Sequence, residues 1–349
     1  MAIDFGVIEG AYLHDLLDQP QALENTFKAL DRPKDLLGLA SRLARKKFQR
    51  IVLTGMGSSF HALHPLNLQL IGHGFTPLMV ETSELIHYGS RLFDPKTLIV
   101  AVSQSGQSVE TVRLAEINGK RSAVIAVTNT PDSPLGKHAT ASVLTHAGRE
   151  FSVSCKTYVT AVMALKWLGD VLCERDVRQS RRELKPIAGA VADYLAKWHE
   201  HVHNLAAKLN GIQQLFIVGR GASLAAVGTG ALIIKESDHF HSEGMSSAAF
   251  RHGPVEMLSE ETLVVVFSGD QRTRELNHRL VADIRQKAGR AEPVGETATL
   301  DAFRLPDRSG SIRPILEILP MQMITLALGA IAGREPGKFD RAAKVTTIE

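Results

Sequence analysis

Four places in this chain carry residue types that could do chemistry, and the densest is a run of hydroxyls. Residues 98–102 form an unbroken apolar run of the kind found in a strand buried on both faces. The run gives way to Ser103, Gln104, Ser105, Gly106, Gln107 and Ser108, and a helix-compatible segment opens near Val109. A strand that ends in small hydroxyls and a glycine before a helix makes an anion site. Backbone N–H groups point outward at the helix N-terminus, the helix dipole favours negative charge, and hydroxyls complete the cradle. No Gly-Lys-Ser/Thr follows, so this is not a nucleotide P-loop. It suits a phosphate monoester held without a metal. The same residues also make an ordinary N-capped helix, and the stretch alone leaves both readings open.

The other three are single side chains. Glu236 stands where a mostly apolar helix turns polar, and a border carboxylate can serve as a general base; locally it reads more simply as an exposed glutamate beside Lys235. His252 precedes a Gly-Pro turn, outside any regular element, where packing explains it poorly and proton exchange near neutral pH is available to it. Lys344 lies in a polar tail, a solvated charge unless the tail closes over something. His199 and His203 share a helix face, but no acidic partner or HExxH accompanies them, and a solvated face is the better reading. A nicotinamide site is disfavoured as well. Gly55 and Gly57 follow a strand and Glu81 ends the next, yet Phe60 and, in a second copy, Leu224 stand where a third glycine belongs. Gly57, Ser58 and Ser59 fit a sugar or phosphate contact beside the 103–108 loop.

These residues need a scaffold, and the chain supplies one twice. RIVLTGMGSS (50–59) and QLFIVGRGAS (214–223) both close a strand on glycines, and TLIVAVS (97–103) repeats as TLVVVFS (262–268). The near-constant offset predicts two similar α/β domains in tandem. In the first, strands are expected at 51–54, 77–80, 98–102, 123–127 and 142–145, with helices at 61–71 and 109–118. Strands alternating with helices predict a doubly wound parallel sheet of flavodoxin-like layout, with ligand at the carboxyl ends of the strands. In the second, strands are expected at 215–218, 263–267 and, more weakly, 302–305, and 314–332 reads as a buried helix interrupted by Pro320. The expected organisation is a helical lead-in (1–47) broken at Gln19-Pro20 and Arg32-Pro33, a first domain (48–180), a helical linker (181–210), a second domain (211–333) and a tail over the active site (334–349).

Composition sets outer bounds. The 349 residues are 44% hydrophobic and 22% charged, with a formal charge of +3 and dispersed Lys and Arg, which argues against nucleic acid as a partner. Cys155 and Cys173 are too few for a disulfide framework or a Cys-rich metal site. No signal-peptide pattern opens the chain, and no window approaches the ~18 uninterrupted apolar residues of a membrane span. A cytoplasmic soluble protein is expected.

The motifs together resemble the double sugar-isomerase-domain (SIS) family, in particular the isomerase half of glucosamine-6-phosphate synthase and its stand-alone relatives. The matching stretches are DQPQALENT (18–26), GMGSS (55–59), SQSGQSVET (103–111), TNTPDSPL (128–135), GRGAS (219–223), KESDHFHSEGMSSAAFRHGP (235–254) and AAKVTTIE (342–349). The resemblance implies that Ser103, Gln104, Ser105 and Ser108 hold a sugar phosphate, with Gly57, Ser58, Ser59, Val153 and Ser154 on the sugar. Glu236 would be the base moving a proton between C1 and C2. Lys344 and His252, the latter reaching across from a second subunit of a homodimer, would assist ring opening. No metal or organic cofactor is implied.

Three departures shape the expected reaction. Ala2 follows Met1 where the synthase carries its glutaminase cysteine, so glutamine-dependent synthesis is not expected of this chain alone. Ile233 stands where the synthase has a lysine one helical turn before the catalytic glutamate. The family's Val-Ala-Ser-Thr-Lys segment is here the shorter Val153-Ser154-Cys155-Lys156. The expected activity is deamination of glucosamine-6-phosphate to fructose-6-phosphate and ammonia. The alternatives are a galactosamine-6-phosphate deaminase, a fructosamine-6-phosphate deglycase or another phosphosugar isomerase. A sugar-phosphate sensor is the rival from another class; it is disfavoured because Glu236, His252 and Lys344 are all present and too few residues precede Arg50 for a DNA-binding domain.

Overall fold

The computed structural model describes residues 5–287, 289–307, 310–341 and 343–346. The chain divides into two compact units, and the division does not follow chain order. The first unit comprises residues 21–149, 156–188 and 341–349; the second comprises 1–20, 150–155 and 189–340.

In the first unit, β1 (Arg50–Gly55), β2 (Pro77–Glu81), β3 (Thr97–Val102), β4 (Ala123–Thr128) and β5 (Ala141–Leu144) form one sheet in the order β2-β1-β3-β4-β5. Every pairing is parallel. All six residues of the central β3 are buried, which explains why its sequence is an unalternating apolar run. Between β1 and β3 the strand order reverses, the position where ligands bind in such sheets. Helix α1 (Gly57–His61) leaves β1, and α2 (Val109–Asn118) leaves β3 through the hydroxyl-rich loop. The helix expected over 61–71 is His64–Gly72, separated from α1 by a turn at Ala62 and Leu63. The fully buried α3 (Lys156–Leu172) also belongs to this unit. Its Lys166 pairs with Asp170 and Glu183, and Arg175 completes the network from 3.1 Å on Asp170 and 3.3 Å on Glu183.

In the second unit, β6 (Gln214–Gly219), β7 (His241–Ser246), β8 (Thr262–Phe267) and β9 (Arg290–Val294) repeat the plan in the order β7-β6-β8-β9, again all parallel. Helix α4 (Leu224–Asp238) follows β6, α5 (Arg274–Gln286) follows β8, and α6 (Arg313–Ala332) packs on α4. Both domains are thus parallel sheets flanked by helices, as the repeat predicts.

Three expectations are corrected. The weak strand at 302–305 is a 3₁₀ turn, Asp301–Phe303, and what remains of a fifth strand is one parallel bridge between Gly295 and Arg304. Two strands were not anticipated. β7 is HSEGMS, an edge strand with little apolar content, and β9 carries Pro293, which an edge strand tolerates. Finally, α6 runs on through Pro320. A proline costs a helix interior about 3 kcal/mol, but every residue from 314 to 330 is buried, and that packing outweighs the local cost. By length and composition α6 could cross a membrane, yet 89% of its apolar window is buried inside the protein, as in a core helix.

Candidate active site

The hydroxyl loop is built from its own backbone upward. Ser103 Oγ accepts from the Gly106 N–H at 3.1 Å, and Ser105 Oγ accepts from the Gln107 N–H at 3.2 Å. A serine that accepts from a backbone N–H still has its hydroxyl hydrogen to donate, so both can serve an anion. Gly106 has φ +61°, and a Cβ there would collide with Ser133, so both conformation and space require glycine. Ser108 is the N-cap position of α2, its hydroxyl 2.8 Å from Thr111 Oγ1.

The loop is pinned from the neighbouring strand. The Gln104 carbonyl accepts from the Asn129 N–H at 3.1 Å and the Thr128 hydroxyl at 3.2 Å, while the Leu135 N–H donates to the Gly106 carbonyl at 3.3 Å. The 128–135 motif therefore positions the loop, a role its sequence did not disclose. Register places Gly55 of β1 beside Val102 of β3, so the α1 turn with Gly57, Ser58 and Ser59 stands next to the loop. All three are half-buried, as are Ser103, Gln104, Ser105 and Ser108.

The tail reaches this loop too. The Val109 N–H, at the start of α2, donates to the Thr346 carbonyl at 3.0 Å, and half-buried Lys344 lies two residues before it. Of the 342–349 motif, residues 342 and 347–349 lie outside the described residues. The first unit therefore gathers eight of the twelve expected site residues: Gly57, Ser58, Ser59, Ser103, Gln104, Ser105, Ser108 and Lys344.

The other four belong to the second unit. Glu236 is half-buried in the last turn of α4, and Ile233, one turn earlier, is fully buried. His252 is exposed at the C-cap of the short helix Ser247–Arg251, ahead of Gly253 at φ +132°. In the 150–155 segment Val153 is buried, so a ligand could meet it through its backbone, and Ser154 is half-buried. Two carboxylates hold this segment, neither of which the sequence singled out. Asp15 accepts from the Phe151 and Ser152 N–H groups at 2.6 and 3.1 Å, and Glu150 accepts from the Cys155 N–H at 3.0 Å. His199 and His203 are exposed, while His201 between them is buried and stacks on Tyr194 at 4.4 Å.

Residues 43–169 and 208–291 match the SIS domain model. The chain belongs to the SIS domain family. It is 29% identical, over 99% of its length, to the glutamine–fructose-6-phosphate aminotransferase (isomerizing) of Pyrococcus horikoshii, and spans 58% of that relative. Among solved structures it resembles the C-terminal domain of glucosamine-fructose-6-phosphate aminotransferase from Francisella tularensis (TM-score 0.81, 20% identity, 95% of this chain and 98% of that one). It also resembles glucosamine-6-phosphate deaminase from Thermotoga maritima (TM-score 0.78, 18% identity, 97% of this chain and 100% of that one). At these identities the structures speak to the fold. The hydroxyl loop lies at the switch point of the first unit's sheet, the position where doubly wound sheets bind ligands.

Proposed function

We propose that the chain is a phosphosugar isomerase-type enzyme acting on an amino-sugar phosphate, and specifically that it deaminates glucosamine-6-phosphate to fructose-6-phosphate and ammonia. The observation that carries the reading is the hydroxyl loop: serine hydroxyls with hydrogens to donate, at a helix N-terminus on the switch point of a parallel sheet. That is a seat for a phosphate monoester. The amino-sugar part rests on the full-length similarity to aminotransferases whose names include fructose-6-phosphate, and on the fold shared with a glucosamine-6-phosphate deaminase.

In this proposal Ser103, Gln104, Ser105 and Ser108 hold the phosphate while Gly57, Ser58, Ser59, Val153 and Ser154 contact the sugar. Lys344 and His252 assist ring opening, His252 from the second subunit of a homodimer. Glu236 takes the proton from C2 of the open-chain amino aldehyde and returns it to C1. The product is a ketimine at C2; water adds to it, the C–N bond breaks, and ammonia leaves with fructose-6-phosphate as the ketone. Ile233 favours a second reading, isomerisation of an unaminated phosphosugar, because it puts no amine one turn before Glu236.

The test is ammonia release from glucosamine-6-phosphate, with galactosamine-6-phosphate and a fructosamine-6-phosphate in parallel. Release from the first supports the proposal, and release from another moves the substrate. Silence on all three removes deamination. Glu236→Gln is expected to lower kcat by roughly 10²–10⁴ while sugar-phosphate binding persists; unchanged turnover would take Glu236 out of the mechanism.

A further inference from the structure

The first unit has a second polar cleft, at the opposite edge of its sheet from the hydroxyl loop. Pro95 precedes β3, Ala123 opens β4 and Thr140 precedes β5, and all three line it. The hydroxyl loop lies past the far end of β3, and a strand of this length spans roughly 20 Å, so a single small ligand cannot reach both. The cleft has about 380 Å³ of water-accessible space.

Its lining carries charge of one sign. Arg42, Lys120, Arg121 and Lys137 all border it, and no Asp or Glu does. Each of the four is exposed, and among the described residues none lies within ion-pair distance of a carboxylate. Asp94, beside Pro95, is engaged by Arg50 and the Lys96 N–H. The two guanidinium groups are nevertheless held in place. Arg42 lies 4.4 Å over the Phe48 ring. Arg121 lies 5.7 Å from the Phe93 centroid and donates to the Asn118 and Ile117 carbonyls at the end of α2. Helix dipoles account for part of the clustering, since Arg42 and Lys137 stand in the last turns of their helices and Lys120 and Arg121 just past α2. Three helix ends contribute roughly −0.5 each at most, less than half of what four cations bring. The excess is positive, and a cleft walled by one sign of charge concentrates counter-ions.

Two neutral groups add donors. Thr140 Oγ1 accepts from the Val124 N–H at 3.2 Å and keeps its own hydrogen. The Ser122 N–H donates to Asn118 Oδ1 at 3.0 Å, which orients that amide. Asn118 Nδ2 therefore donates to His138 Nε2 at 3.0 Å, and the imidazole proton rests on Nδ1. Burial, and after it Lys120, lowers the pKa of this histidine. No aromatic ring besides that imidazole lines the cleft, so a nucleobase finds no face to stack on. A phosphoryl group carries about two negative charges, and four cations match two such groups. We propose that this cleft binds a compact polyanion carrying two phosphoryl groups, met by the Arg42 and Arg121 guanidinium groups and by the Lys120 and Lys137 arms. The site is distinct from the hydroxyl loop and stands independently of the proposed reaction.

The experiment is isothermal titration calorimetry on the full chain with inorganic pyrophosphate and fructose-1,6-bisphosphate, beside inorganic phosphate and a short single-stranded RNA. Saturable binding of at least one of the two doubly phosphorylated probes is expected, tighter than that of inorganic phosphate and unchanged in a Ser105→Asp variant of the hydroxyl loop. The paired substitution Lys120→Gly with Lys137→Gln should weaken it at least about tenfold. Lys120 has φ +66°, a conformation glycine adopts freely, and both lysines are exposed, so Tm should not fall. Arg42→Met, which still covers Phe48, should weaken binding too. The proposal falls if neither probe saturates the wild type, if binding is lost in Ser105→Asp, or if it survives intact in the paired variant. Equal or tighter binding of the RNA also overturns it, because the cleft would then be part of a nucleic-acid face.

Discussion

The loops after β3 and β8 occupy the same place in two copies of one fold, and they treat negative charge in opposite ways. After β3, Ser103 and Ser105 accept from Gly106 and Gln107 N–H groups and retain hydroxyl hydrogens. After β8 the position of Ser105 is taken by Asp270, whose carboxylate accepts from the Arg272 N–H at 3.1 Å and the Thr273 hydroxyl at 3.4 Å. A carboxylate accepts and cannot donate, and it brings its own charge to the start of α5. On the proposed reading the first loop receives a phosphate, whereas the second carries an anion of its own within the chain. The scaffold repeats, and Asp270 in the place of Ser105 sets the two loops apart.

The largest expected effect comes from making the first loop like the second. Ser105→Asp places a carboxylate in the cradle, and like charges set together cost several kcal/mol. KM for the phosphosugar should rise by roughly 100-fold or more, with circular dichroism and Tm near wild type. A KM within a fewfold of wild type would mean that the phosphate does not sit in this loop.

The units also differ in how they bury charge. In the first, Lys166 and Asp170 are almost fully buried but sit in a network with Glu183 and Arg175. Lys166→Met leaves Asp170 buried with Arg175 and the Gln69 amide, the latter at 2.8 Å. Removing one member of a buried pair costs about 3–5 kcal/mol, and urea denaturation should show a loss of that order. A loss no larger than that of a surface substitution would show that water reaches the network.

In the second unit Glu317 lacks such compensation. Its folded pKa is about 7 against an ordinary 4.5, so between those values the folded chain holds a proton the unfolded chain has released. Stability from this group therefore falls as pH rises from 4.5 to 7, by at most about 1.4 kcal/mol per unit. Glu317→Gln is neutral throughout. Its Tm advantage over wild type should widen across that window and level off above it; parallel Tm–pH curves would show an ordinary carboxyl.

What could be read from the sequence follows from where each signal lives. The β3 loop was legible because strand, hydroxyls, glycine and helix are contiguous, and the repeat was legible because central strands buried on both faces keep an apolar run. β7 was not, since an edge strand makes its bonds through backbone and leaves HSEGMS free of pattern. Asp15 and Glu150 brace the 150–155 segment from positions whose connection only the fold creates. Glu317 had a local signal, a single carboxylate inside the apolar stretch 314–332, but nothing in the sequence says that Ser223 meets it. Glu236 and Lys344 carried weight through resemblance to the SIS family, since each alone reads as a surface charge, whereas His252 stood out by itself ahead of its Gly-Pro turn.

The smallest expected effect is the reverse exchange. Asp270→Ser removes the carboxylate that satisfies Arg272 and Thr273 and should cost about 1 kcal/mol, a Tm decrease of about 2–4 °C. It also leaves a serine, Ser268, Thr273 and the start of α5, a set close to that of the first loop. Inorganic phosphate should then bind weakly, and at ~10 times its Kd it returns about 1.4 kcal/mol, offsetting the loss. Differential scanning fluorimetry in rising phosphate separates the cases. Recovery of Tm in Asp270→Ser beyond the wild-type response means one carboxylate keeps phosphate out of the second loop. The same response in both means that Gly269 and Arg272, where the first loop has Gln104 and Gln107, have changed its shape as well.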